Sequence, residues 1–284
     1  MFFYCLNEAI LIDIFKVMDI GGSMVIHTFG AFCGLSGAFF YEPKDAIKDK
    51  LGMGVGNYLS DLVSMVGTLF LFCFWPSFNA ALGDGASQMR AIINTYLSIS
   101  SSVIASIIVA KATHGGKLEM EIVLNASLAG GVAVGSAADI IVQPGCAMLA
   151  GFVVGTVSSL GFAYLSKFLQ QKLSLHDTCG VLNLHGMPGL IGGIISAITV
   201  ARGADSFGDQ YSRIFKAGRN PSTQAGFQLA GVFLSLGLAI FSGLLTGYIT
   251  SRPWFMPPPA EALFDDRYHF DKCVIEHEQL HELK

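Results

Sequence analysis

DIGGSMVIHTFGAFCGLSGAFFY (Asp19–Tyr41) opens on a carboxylate and then runs from Ile20 to Tyr41 without one Asp, Glu, Lys or Arg. A helix crosses the hydrocarbon of a bilayer with about 20 apolar residues, so the run is span-sized. Six more charge-free runs follow: Leu62–Gly83, Ala91–Ala110, Ile122–Ala138, Ile140–Ser166, Thr178–Ala201 and Asn220–Ser251. The Ile122 run is the shortest, and none shows the polar face of a water-facing helix. Composition agrees: 52% of the 284 residues are apolar, only 13% are charged, and mean hydropathy is +0.56. A soluble domain carries about 25% charged residues. The expected fold is therefore all-α, a polytopic membrane helix bundle of about seven spans. Disorder is excluded, and 17 Lys+Arg against 21 Asp+Glu give no basic surface for nucleic acid. Six scattered cysteines without a CxxC pair read as reduced, structural thiols.

Loop charge sets an expected direction. Lys44, Lys48, Lys50, Lys111, Lys117, Lys167 and Lys172 follow spans one, three and five, and the tail adds Arg252, Arg267, Lys272 and Lys284. The opposite side holds Lys16, Arg90, Arg202, Arg213, Lys216 and Arg219. The positive-inside rule then puts the C-terminus in the cytoplasm. Met1–Met18 has no basic region of the signal-peptide kind and contains Asn7, Glu8, Asp13 and Lys16. It reads as the tail of an earlier helix followed by a short amphipathic element, and hints at upstream sequence. The pairs Gly131/Gly135, Gly151/Gly155 and Gly243/Gly247 have the small-xxx-small spacing that lets membrane helices approach closely.

A repeat lies within these spans. Asp19-Ile-Gly-Gly-Ser-Met-Val-Ile-His27 opens span one, and Asp177-Thr-Cys-Gly-Val-Leu-Asn-Leu-His185 opens span six. Both place Gly three residues after Asp (Gly22, Gly180), His eight after it, and Gly seven after His (Gly34, Gly192), at an offset of 158 residues. Spans one and six have opposite parity, which makes the pattern an inverted-topology repeat with its binding site expected near the midplane. Eight residues at 1.5 Å rise place each imidazole about 12 Å inside its helix. The two should therefore face each other at similar depth.

Ionisable side chains within membrane spans are costly and mark a pathway or relay, so His27 and His185 are the candidate conducting residues, against the plainer reading of buried, hydrogen-bonded packing residues. Asp19 and Asp177 stand at helix starts, where an acid caps the helix and suits its positive end; a functional and a structural role both stay open for them. Paired neutral imidazoles offer a donor and an acceptor without fixed charge. That favours passage of a neutral polar solute, and a cation such as ammonium enters only by leaving its proton or passing it along the histidines.

DIGGSMVIHTFGAFCGLSGAFFY (Asp19–Tyr41), WPSFNAAL (Trp75–Leu82), NASLAGGVAVG (Asn125–Gly135) and DTCGVLNLHGMPGLIGGI (Asp177–Ile194) closely resemble the Rhesus branch of the ammonium transporter family. The resemblance runs to about Pro253 and begins at the end of the family's fourth helix. It implies an ammonium transporter-like bundle with about seven of the family's eleven or twelve spans. Residues 1–252 would be the transmembrane domain, lacking the first four family helices, and 253–284 an acidic cytoplasmic tail. It also implies ammonia/ammonium transport through a twin-histidine pore, with carbon dioxide as a further proposed permeant, in a homotrimer or a hetero-oligomer with related subunits, in the plasma membrane. No cofactor or metal is implied. By the same resemblance His27 and His185 match the pore histidines, which the blood-group Rhesus polypeptides lack. Asp19 matches the acid near the outer end of the pore, and Asp177 its repeat partner. Phe78 matches one of two stacked phenylalanines that close the outer mouth. The alternative from another class is a truncated, non-conducting subunit that assembles with full-length partners.

His277-Glu278-Gln279-Leu280-His281 matches HExxH, the metallopeptidase zinc signature. A catalytic zinc needs a third protein ligand, and only Glu282, Leu283 and Lys284 lie beyond it. The surrounding Glu261, Asp265, Asp266 and Glu276 read as a solvated acidic segment, so no enzyme is expected.

Overall fold

The computed structural model describes residues 1–41, 58–173, 175–203, 207, 215 and 217–257. Each charge-free run becomes a helix. After a short α1 (Phe2–Glu8), which continues as a π turn over Ala9–Ile14, come α2 (Ser23–Ala38), α3 (Tyr58–Ala80), α4 (Gly85–Thr113), α5 (Met120–Gly135), α6 (Pro144–Leu173), α7 (Leu182–Ala201) and α8 (Pro221–Thr250). Five of these, α3, α4, α6, α7 and α8, are long and apolar enough to cross a membrane. The other two, α2 and α5, are apolar but shorter. In α2 the charge-free run is trimmed at both ends, at the front because Asp19–Gly22 forms a turn. In α5 most residues are buried within the protein, so this helix is covered by its neighbours rather than matched to lipid along its length.

The helices form two groups. In one, α4 packs against α5 and α6, and α3 leans on α4 and α5; in the other, α8 packs against α2 and α7. The groups meet where α5 touches α7 and the first turns of α2 and α7. Small residues make the close crossings. A Cβ at Gly151 would run into the Ser98 carbonyl, and one at Gly155 into Ser102, seating α6 on α4; Gly243 and Gly247 do the same for α8 against Cys33 and Gly37 of α2. Without a hydrophobic drive between helices in lipid, such contact relies on packing and on short polar side chains. Ser98 Oγ donates to the Gly130 carbonyl at 2.7 Å and Ser102 Oγ to the Ala126 carbonyl at 2.6 Å, tying α4 to α5.

Both ends of α8 carry an arginine on an aromatic ring, Arg219 over Phe227 at 3.5 Å and Arg252 over Tyr248 at 3.7 Å. This is the amphipathic dress of a membrane–water interface. Near the first of these ends, Gln224 and Gln228 are fully buried and hold the segment before α2. Gln224 Nε2 donates to the Lys16 carbonyl at 2.8 Å, and Gln228 both donates to the Met18 carbonyl at 2.8 Å and accepts from the Met18 amide at 2.7 Å. Gln228 also donates to Ser196 Oγ of α7 at 2.7 Å, so a single side chain links the approach to the first repeat arm with the helix that carries the second. Cys5, Cys33, Cys73, Cys146 and Cys179 are free thiols.

Candidate functional site

The repeat read from sequence reappears as repeated geometry. Gly22 and Gly180 have φ of +71° and +66°, the left-handed region that a residue without Cβ enters freely. Each closes a turn onto its aspartate: Gly22 N donates to the Asp19 carbonyl at 3.0 Å and Gly180 N to the Asp177 carbonyl at 3.1 Å. Each aspartate then folds its carboxylate over the first amides of the helix beyond. Asp19 accepts from the amides of Met24 at 3.1 Å and Val25 at 2.8 Å, and Asp177 from those of Val181 and Leu182, both at 2.8 Å. Asp19, at 8% exposure, also receives the Ser136 hydroxyl. These contacts satisfy the open N–H groups of a helix start.

The same turns correct the expected depth. The helices begin at Ser23 and Leu182, not at the aspartates. His27 therefore sits about 6 Å, and His185 about 4.5 Å, along its helix, not 12 Å, at 1.5 Å per residue. The helix begins four residues after Asp19 and five after Asp177, the stretch spent on the glycine turn. The expected juxtaposition nevertheless holds. His27 Nδ1 lies 3.1 Å from His185 Nδ1, and the rings are parallel within 3° with centroids 5.1 Å apart.

A hydrogen bond between two Nδ1 atoms fixes the tautomers of neutral rings: one carries its proton on Nδ1, the other on Nε2. The pair therefore presents one bare Nε2 acceptor and one Nε2–H donor at its far corners. His27 is 8% exposed, and its Nε2 has no hydrogen-bond partner among the described residues.

Aromatic rings wall the pair. Trp75 stacks on His27 at 5.7 Å and 17°, and lies 6.4 Å from His185 at 16°. Phe78, one turn along α3, meets His27 edge-on at 6.0 Å and Trp75 at 6.2 Å. Trp75 belongs to a buried apolar cluster with Ile99, Val132, Val154 and Leu184. Sequence reasoning marks Phe78 and passes over Trp75; an aromatic pair at i and i+3 on one helix face is the available signal. It also passes over Ser23 and Ser136, which bond to each other (Ser136 N to Ser23 Oγ, 2.7 Å) behind Asp19. An open cavity of about 1160 Å³ reaches Asp19 from one end of the bundle, lined also by Lys16, Asp84, Arg90 and Asp139; neither histidine lines it. The HExxH residues His277, Glu278 and His281 lie outside the described residues.

An all-helical bundle with five membrane-length apolar helices is a polytopic membrane protein. The chain belongs to the Ammonium Transporter Family, whose model matches residues 3–258. It is 44% identical over 277 residues to the ammonium transporter Rh type C of Xenopus tropicalis, covering 94% of this chain and 59% of that protein. With the Rh type C protein of Homo sapiens it shares 41% identity over 277 residues, 94% of this chain and 58% of the relative. The solved structure described as Nitrosomonas europaea Rh50, of the Rhesus protein family of channels, superposes with a TM-score of 0.74 at 29% identity, over 99% of this chain and 69% of that one. Saccharomyces cerevisiae Mep2, at 20% identity and a TM-score of 0.68 over 86% of this chain and 53% of that one, shares the fold. The chain thus spans about three-fifths of the curated relatives it matches, and the expected kinship with the Rhesus branch holds. The family is one of transporters and channels, not of enzymes, and its match ends at residue 258, before the HExxH tail.

Proposed function

We propose that this chain carries the conducting centre of a Rhesus-type ammonia/ammonium pathway, with His27 and His185 as the residues that pass the permeant. The observation that carries the reading is the 3.1 Å Nδ1–Nδ1 contact. Two imidazoles locked in opposite tautomers offer a donor and an acceptor in an otherwise apolar, aromatic passage. Ammonia needs both and carries no charge to desolvate, whereas a bare cation there would lack a counter-charge. Ammonium leaves its proton at the mouth or hands it along the imidazoles. Phe78 offers its π face to the cation before that step. Asp19 and Asp177 serve by holding the two helix starts. Carbon dioxide, also neutral, would meet the same passage.

The assembly is a homotrimer or a mixed oligomer with related subunits, in the plasma membrane, with residues 1–252 in the bilayer and the acidic tail 253–284 in the cytoplasm. A second reading, a subunit that assembles without conducting alone, is favoured by α3. Only 6% of its most apolar window is buried, so its face is open to lipid or to another subunit.

The test is ammonia-driven alkalinisation of vesicles reconstituted with the full chain. Conduction predicts a rate above that of protein-free vesicles. A rate equal to theirs overturns conduction by this chain alone and leaves the assembling subunit.

A further inference from the structure

Both histidines lie in π-helical turns, Ser23–Thr28 and Leu182–Gly186. In the first the widened ring is explicit: the His27 amide reaches the Gly22 carbonyl at 3.0 Å, five residues back. Such turns are common at functional sites, but they recur here at Ala9–Ile14, Gly161–Leu165 and Leu169–Leu173, and the one that contains His27 is set apart by its carbonyls. Around this one, three consecutive carbonyls each accept a side-chain donor. Thr28 Oγ1 donates to Ser23 O at 2.8 Å, Ser235 Oγ of α8 to Met24 O at 2.9 Å, and Asn7 Nδ2 of α1 to Val25 O at 3.3 Å. Asn7, Thr28 and Ser235 are all fully buried, so none has water as an alternative partner.

We propose that Asn7, Thr28 and Ser235 are positioning residues that hold the π turn open and so aim the His27 imidazole at His185. The argument is geometric. A π turn carries one residue more than the α turn it replaces, so tightening it to α rotates the chain on its N-terminal side by about 100° relative to the helix on its C-terminal side. That helix, the body of α2, is fixed, because it is pressed against Gly243 and Gly247 of α8. The N-terminal side is held as well, by Ser23 Oγ donating to the Val132 carbonyl at 2.6 Å and accepting from the Ser136 amide. The change of twist would therefore have to be taken up within Ser23–Thr28 itself, where His27 lies, and would turn Nδ1 away from its partner. A carbonyl that takes a second, side-chain donor is held splayed, against that tightening. The three donors come from α1, from the turn itself and from α8, so the aim of His27 depends on how these elements are docked.

The role of these residues rests on the paired histidines being the conducting centre, but their effect on the pair is readable without flux. In the full chain labelled with ¹⁵N-histidine, an N–H···N bond between imidazoles gives a scalar coupling between the two nitrogens. Thr28→Val with Ser235→Ala should abolish that coupling and slow ammonia flux about tenfold or more, the scale of a small misplacement at a working site. Thr28→Ser and Ser235→Thr, which keep the hydroxyls, should retain both. Coupling and flux retained in the double variant would overturn the proposal. Coupling lost with flux retained would instead sink the conducting role of the pair while sustaining the positioning. Should the double variant fail to assemble, Asn7→Ala alone, acting on Val25 O from another helix, carries the same expectation and the same refutation.

Discussion

The two repeat arms share a turn and differ in what surrounds it. Asp19–His27 and Asp177–His185 have the same left-handed glycine, the same carbonyl turn and the same carboxylate over the helix start. Yet Asp19 is 8% exposed and takes the Ser136 hydroxyl as well, and its arm is gripped by Gln224, Gln228, Asn7 and Ser235. Asp177 is only half-buried, and Asn183 ties its arm to Ser166 at 2.6 Å. The motif makes the turn, and the neighbours decide how firmly the turn is held.

The largest expected effect separates the arms by their aspartates. Asp19→Ala strands two amides and a hydroxyl in the interior and should destabilise by about 3 kcal/mol, against about 1 kcal/mol for Asp177→Ala, whose carboxylate is only half-buried. Denaturation midpoints in detergent check the difference; equal losses would break the comparison. The glycines should reverse the order. A Cβ at Gly22 meets the flexible Ile26 side chain, whereas one at Gly180 meets the Phe162 ring. Gly180→Ala should thus cost about 2 to 3 kcal/mol and Gly22→Ala about 1 to 2 kcal/mol, both including the strain of φ > 0 in a residue with a Cβ. Next is Gln228→Leu, which removes the link between Met18 and Ser196 and should cost about 1 to 2 kcal/mol, read in the same assay. The smallest effect is expected at Phe78, which is 45% exposed. Phe78→Leu should leave stability within about 0.5 kcal/mol and weaken ammonium recognition by no more than about 1 kcal/mol, read as the concentration dependence of flux.

Much of the fold is legible in the sequence because a bilayer simplifies the code. A run without charge must be a helix where no water can take its backbone groups, so the seven helices α2 to α8 stand out. Their lengths are less legible. Charge-free sequence continues through Gly22 and Gly180, and hydropathy cannot tell a left-handed turn from the first turn of a helix. That is why the expected imidazole depth is about two to three times too great while the expected pairing is right: a similar error enters both arms and largely cancels. Trp75 stays hidden because a tryptophan in an apolar run reads as packing until a histidine is placed against its face. Ser23, Ser136 and Ser235 look like any small residue of a membrane helix. Their partners are backbone carbonyls, an amide and a carboxylate far away in sequence, and nothing local announces them.

The central claim is that His27 and His185 act as one unit, and a double-mutant cycle in ammonia flux tests it most directly. Flux is compared for the unsubstituted chain, His27→Ala, His185→Ala and the combination. If the Nδ1–Nδ1 pair is the conducting element, either single substitution already destroys it, and the double should be no slower than the slower single, as for groups that act together. Losses that simply multiply would show two independent residues and contradict the account.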